Sequence, residues 1–196
     1  MRRLPLFVLP VVLLPGATLP LHIFEPRYRR MAARCLESDR RFGVLYHDSE
    51  SAQPFVLEEG LVGCVAEILE FRPLPDGRSL VLTRGEERFR VVDGIENEEE
   101  YHEALVEEFV DAVAEDAALA AERRRVIALF RALVELTATE EVLADFVFPT
   151  EYEGDVSFRI AALIHTDVRW HQALLELPGE AARLDQIGRL LEGHDL

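Results

Sequence analysis

The chain of 196 residues contains no lysine, and all 21 of its basic residues are arginine. That absence excludes the lysine-bearing phosphate loop of nucleotide-binding proteins. It also excludes Schiff-base chemistry and a Ser-Lys catalytic dyad. Cysteine is almost as scarce. Cys35 and Cys64 lie too far apart for a metal knuckle or a CxxC redox pair; they allow one disulfide and fit two buried thiols of a cytoplasmic protein. The five serines include none in a G-x-S-x-G setting. A long apolar run is missing too: the stretch from Leu4 to Leu14 is too short to span a bilayer, and Pro5, Pro10, Pro15 and Pro20 interrupt it and its sequel. Each interior proline would cost a helix about 3 kcal/mol. The opening "LPLFVLPVVLLPGATLPLHIF" therefore reads as short strands at a sheet edge or bulge, with a turn at Pro15-Gly16. A signal peptide, the other reading of two arginines before an apolar run, predicts a polar mature start that "LPLHIF" does not supply.

What is present describes an ordinary globular domain of one or two parts, 49% hydrophobic and 30% charged. The net charge of −16 opposes general binding of nucleic acid, whose affinity rests on neutralised phosphates. The charge is unevenly spread. Residues 1–41 hold eight arginines against Glu25, Glu37 and Asp39, whereas residues 96–116 hold ten acidic side chains and no arginine.

Along the chain, "FEPRYRRMAARCLESD" has helical spacing, with Pro26 at the first helical position. Tyr28, Met31, Ala32, Cys35 and Leu36 form its apolar face, and Arg27, Arg30 and Arg34 lie on another. "RFGVLYHD" is a strand, and residues 49–60 a loop or weak strand. Asp76-Gly77 between apolar runs marks a hairpin, and Gly85 a bulge or barrel corner in the returning strand. "YHEALVEEFVD" reads as a further strand, although so short a stretch also allows a helix. Beyond Glu115 the pattern is helical. Val126, Leu129, Phe130 and Leu133 share a face, Thr137 and Glu140 have capping-box spacing, and Asp167 caps "VRWHQALLEL", which Pro178-Gly179 ends. Leu184, Ile187 and Leu191 define a last amphipathic helix. The fold class expected is α+β, with a β-rich part over 1–114 and an all-helical part over 115–196.

The chain from "LPLFVLPVVLLPGATLPLHIFEPRYRRMAARCL" through "FGVL" and "VGCVAEILEFRPLPDGRSLVLTRGEERFRV" resembles the N-terminal substrate-binding domain of the ATP-dependent Lon protease, in its free-standing bacterial form. The most distinctive stretch is P-G-x-x-L-P-L-x-I-F-E-P-R-Y, carried by Pro15, Gly16, Leu19, Pro20, Leu21, Ile23, Phe24, Glu25, Pro26, Arg27 and Tyr28. "ALLELPGEAARLDQIGRLL" extends the resemblance over nearly the whole chain. It implies a PUA-like β-barrel followed by a helical bundle. It also implies a role in recruiting unfolded or extended polypeptide, alongside a protease or chaperone ATPase. It brings no catalysis, since the ATPase and Ser-Lys peptidase modules of the full-length protease are not contained here. No cofactor is implied, and no motif marks which residues contact peptide.

Candidate chemistry is sparse. Glu25 and Arg27 read as a cap and salt bridge rather than a catalytic pair. His165 and His171 flank Asp167 but, six apart on one helix, would point to different faces, unlike an i, i+4 metal pair. Cys35 sits on an apolar face, as a core thiol does, and Trp170 fits helix packing. Three function classes follow: a peptide-binding module, an RNA-binding PUA-like protein reading through Arg27, Arg30 and Arg34, and an enzyme of unrecognised type. The first is favoured, because the net charge and the lack of interleaved aromatics oppose the second. The third lacks a coherent acid, base and nucleophile.

Overall fold

The structure is a computed structural model that describes residues 1–112, 117–151 and 154–193. Within them lie six strands: β1 (Arg2–Leu9), β2 (Thr18–Ile23), β3 (Arg41–Tyr46), β4 (Val62–Pro73), β5 (Ser79–Ile95) and β6 (His102–Glu108). The six helices are α1 (Pro26–Leu36), α2 (Ala117–Thr137), α3 (Glu140–Asp145), α4 (Val156–Ala161), α5 (Val168–Glu176) and α6 (Glu180–Leu191). Two compact units result, Met1–Val110 with Asp167–Leu175, and Asp111–Thr166 with Glu176–Leu196. The division expected between residues 114 and 115 falls outside the described residues.

In the first unit the strand order is β2-β5-β4-β3-β1-β6, and a further pairing of β5 with β6 closes β1, β3, β4, β5 and β6 into a ring. β2 stays outside that ring and, among the described residues, pairs only with the first half of β5. The prolines sit where their missing N–H breaks no ladder. Pro5 pairs with Glu103 on β6, while the β3 ladder begins only at Leu6; Pro20 lies in the edge strand β2. At Pro15-Gly16 the amide of Ala17 donates to the Leu14 carbonyl at 3.1 Å, and Gly16 takes φ of 79°, the combination of a turn that needs glycine at its third position. Gly85 is required for a different reason. A Cβ there would stand 2.2 Å from the Leu14 carbonyl oxygen, and the β4–β5 register shifts at that point, between Cys64↔Arg88 and Ala66↔Gly85. The hairpin expected at Asp76-Gly77 forms, closed by Leu74 N–H to Arg78 O at 2.8 Å.

β3 and the first half of β4, through Ile68, are buried on both faces, which explains their apolar runs. One face contributes to a cluster fed by all five ring strands: Leu4, Leu6, Leu45, Val65, Phe89, Val91, Ala104 and Val106. The other meets Tyr28, Met31, Ala32 and Cys35 of α1, together with Phe7, Phe42, Val44, Ile68 and Ile23. Fully burying one such large apolar side chain contributes about 1.5–3 kcal/mol. α5 also belongs to this unit up to Leu175. Gln172 Nε2 donates to Val62 O at 3.1 Å, Arg88 donates to Leu175 O at 2.6 Å, and Arg169 pairs with Asp48 at 2.6 Å. Asp167 caps α5 as expected, accepting from Arg169 N at 2.7 Å.

The second unit packs α2, α4 and α6 around Arg183, whose side chain is wholly buried. Its guanidinium lies 4.2 Å over the Phe158 ring, donates to Ser157 Oγ at 2.8 Å and to Leu177 O at 3.0 Å, and ion-pairs with Asp111 and Asp155. Asp155 also caps α4 through Phe158 N at 3.1 Å. Three local expectations are corrected here. Thr137 ends α2, its hydroxyl donating back to Leu133 O at 2.8 Å, and the residue preceding α3 is Thr139. Leu133 is exposed, because burial on α2 stops at Phe130. α4 has no counterpart in the sequence reading, since Val156, Ser157, Phe158, Ile160 and Ala161 are all buried and leave no amphipathic period to detect. Among the described residues no helix is long and apolar enough to cross a membrane.

Candidate functional site

The stretch Pro15–Tyr28 divides its residues between core and surface. Ile23 and Tyr28 enter the core, at 1% and 3% exposure, and burial pushes the Tyr28 phenol up. Leu19 and Leu21 are half-buried against that core. Pro20 and Pro26 are exposed, and Phe24 is 59% exposed directly after the free strand ends. Glu25 holds Arg27 at 2.8 Å instead of capping α1: it makes no side-chain bond to the helix amides. Arg27 also lies 4.5 Å over the Tyr28 ring.

β2 presents one side to β5 and pairs with no other strand among the described residues. The strand registers put His22, Leu80 and Arg72 in one row across β2, β5 and β4, and Pro20, Leu82 and Glu70 in the next. Phe24 stands against His22, ring centroids 5.7 Å apart. Leu80 and Leu69 are each 38% exposed. On the other side of the same hairpin a groove of about 460 Å³ runs between α1 and the β4–β5 turn, lined by Pro26, Arg29, Ala33, Phe71, Pro73 and Arg78 among others. An edge strand with free backbone groups, exposed apolar side chains at its end and a mixed groove beside it can receive an extended chain.

The basic face expected on α1 is neutralised. Arg30 pairs with Glu99 at 3.2 Å and Glu100 at 2.7 Å, which raise its pKa. Arg34 donates to the Tyr101 hydroxyl at 2.7 Å and lies 3.6 Å from Glu99. The acidic segment 96–100 thus serves as counter-charge to the helix. Arg29 and Arg72, by contrast, have no ionic, ring or hydrogen-bond partner for their side chains among the described residues. The sequence reading overlooked both, and also overlooked Leu80 and Leu82, although the alternation in "SLVLTR" places apolar residues on both faces of β5.

The remaining candidates are dispersed. His165 lies in the loop before α5, not on the helix, and His171 meets the Trp170 ring edge-on at 5.2 Å. Among the described residues no three His, Cys, Asp or Glu side chains converge on a metal position. Cys35 and Cys64 are both free and buried.

Comparison with known proteins agrees with the fold. Residues 3–193 match the family described as the ATP-dependent protease La (LON) substrate-binding domain. Lon protease 2 of Syntrophobacter fumaroxidans is 28% identical over 185 residues, which cover 90% of this chain and 22% of that protein. The crystal structure of a Lon N-terminal domain protein from Xanthomonas campestris superposes with a TM-score of 0.65 at 26% identity, covering 95% of this chain and 97% of that one. The N-terminal domain of the Mycobacterium avium complex Lon protease shares the fold, with a TM-score of 0.74 at 16% identity over the full length of both chains. The chain spans less than a quarter of the length of the curated relatives it matches. On the span of residues 3–193 and the shared fold, this chain belongs to the Lon substrate-binding domain family.

Proposed function

We propose that the protein is a non-catalytic polypeptide-binding module of PUA-like architecture, acting in the cytoplasm. It holds unfolded or extended segments on the first unit, on behalf of a protease or chaperone ATPase. The observation that carries this reading is the free edge of β2 leading directly into exposed Phe24. An extended segment adds to such an edge through main-chain hydrogen bonds and gains affinity from apolar burial beside it. Pro20 removes one donor from that edge, which limits the gain and suits a site that must release what it binds. The pairing of Arg27, Arg30 and Arg34 with acids argues against the RNA-binding alternative, since phosphate binding needs uncompensated cations.

The test is a titration of fluorescent unfolded peptide and of single-stranded RNA, each at about 50 and 200 mM salt. Peptide binding is expected in the micromolar range and largely unchanged by salt. Phe24→Ala should weaken it several-fold, and so should methylation of alternate peptide nitrogens, which removes the donors of an added strand. Absence of peptide binding, or RNA binding lost on replacing Arg27, Arg30 and Arg34, would overturn the reading.

A further inference from the structure

The groove between α1 and the β4–β5 turn is lined against the charge of the chain as a whole. Its nine lining residues include Arg29, Arg30 and Arg78 and no carboxylate, although the net charge of the protein is −16. Two of these arginines are paired: Arg30 with Glu99 and Glu100, and Arg78 with Asp76 at 2.6 Å. None of those acids lines the groove. Arg29 is the cation left over, with no side-chain partner among the described residues. Its guanidinium lies against the hairpin turn. Gly77 sits there at φ of 82°, and a Cβ on it would collide with that guanidinium. The glycine that the turn needs for its backbone thus also makes room for the cation.

A second polar group in the groove is unsatisfied. Ser79 is 4% exposed and stands in register between Ile23 and Pro73. Its hydroxyl makes no hydrogen bond among the described residues. A hydroxyl so far out of water ordinarily has a partner, so one lining a groove points to a ligand that brings an oxygen. Pro26, Ala33, Phe71 and Pro73 supply apolar walls beside it. The lining side chains offer N–H and O–H donors but no carboxylate or amide oxygen. A strand passing through would bring an N–H with almost every residue, whereas a chain end brings a carboxylate, which accepts strongly from arginine. A second copy of this chain fits less well, because a stable interface takes about 20–30 residues a side.

We infer that this groove captures the C-terminal carboxylate of an extended polypeptide whose last residue is apolar. Arg29 pairs with the carboxylate, Ser79 donates to one of its oxygens, and Phe71 with the flanking prolines covers the last side chain. The inference rests on the reading of the first unit as a polypeptide-binding module, and adds chain ends as the class of segment it prefers. The experiment titrates full-length protein with three fluorescent unstructured peptides of one sequence ending in leucine: the free acid, the C-terminal amide, and the amide with an internal glutamate. The free acid is expected to bind about tenfold tighter than either amide, the scale of one charge-assisted hydrogen bond. Arg29→Gln should bring the free acid down to the amide and leave both amides unchanged, and Ser79→Ala should narrow the gap. Arg29 is exposed, so circular dichroism should report an unchanged fold. Phe24→Ala should weaken all three peptides by one factor, since the β2 edge holds main chain rather than a chain end. Equal binding of acid and amide would overturn this inference and leave the recruiting role standing, whereas binding of none of the three would overturn both. An internal glutamate that matches the free acid, or self-association lost on Arg29→Gln, would assign the groove to another occupant and also overturn it.

Discussion

The phenyl ring of Phe89 fills the space that a side chain at Gly43 would need. A Cβ built on Gly43 would stand 2.7 Å from the tip of that ring and 2.7 Å from Leu6 Cδ2, and one on Gly63 would stand 2.6 Å from the ring and 2.3 Å from the Val44 carbonyl oxygen. The two glycines on β3 and β4 therefore form the floor on which Phe89 of β5 rests inside the strand ring. Gly43→Ala is expected to cost about 1–3 kcal/mol by overpacking, and Gly63→Ala more, because a carbonyl oxygen cannot rotate away as a side chain can. Phe89→Leu should recover part of the Gly43→Ala loss, a non-additivity that urea midpoints of the single and double variants would reveal. Strict additivity would mean the ring and the glycine do not compete for space.

Arg183 holds the second unit. Its side chain is 0% exposed, and its carboxylate partners Asp111 and Asp155 are 28% and 31% exposed. Replacing it with methionine removes the cation that Asp111 and Asp155 share. The expected loss is about 3 kcal/mol, the lower end for a broken buried pair, because both acids retain contact with water. Denaturant unfolding followed by amide signals from α4 and α6 would check it, and a loss below about 1 kcal/mol, the surface-pair range, would show that packing alone holds these helices.

The two thiols are predicted to be inert in the folded protein. Burial, with Asp39 adding to it, pushes the Cys35 thiol up to about 12, and burial raises Cys64 further. Neither has an appreciable thiolate fraction near neutral pH. Ellman's reagent should release no chromophore from native protein and two equivalents after denaturation. Rapid reaction of one thiol in the native state would indicate local opening around α1.

His102 should give the stability a pH dependence in the weakly acidic range. Burial, and after it the charge of Arg27, holds this imidazole below 6.5. As pH falls through 6.5 the unfolded chain takes up the proton first, so stability declines from there until the lower folded value is reached; above 6.5 the contribution is fully present. His102→Gln should flatten the curve of urea midpoint against pH in this window. An unchanged slope would assign the dependence to other groups.

Most of what was legible in the candidate site is local. The Pro15-Gly16 turn, the strand–helix junction at Glu25-Pro26 and the apolar face of α1 all follow from residues within a few positions of each other. The features that make the surface a site are long-range. That β2 has no second neighbour among the described residues depends on how β5 and β6 pair, and Phe24 is exposed while Ile23 and Tyr28 on either side of it enter the core. The basic face of α1 looked available because its counter-charges, Glu99 and Glu100, lie about seventy residues further on, each in its own solvated run.

The sequence by itself determined where several turns fall, where most of the strands and helices lie, and which family the signature points to. These follow from sterics and periodicity acting over a few residues, as at Gly16, at the Asp76-Gly77 hairpin and at the Asp167 cap. Only the tertiary structure decided which core each element joins. α5 docks on the first unit through Gln172 and Arg169, although its neighbours α4 and α6 belong to the second. Arg183, in a helix that reads as an ordinary amphipathic one, becomes the buried centre of its unit because Asp111 and Asp155 converge on it from 72 and 28 residues away. Helical period reports that a face is buried; it carries no information about what buries it, since that depends on contacts between residues far apart in the chain.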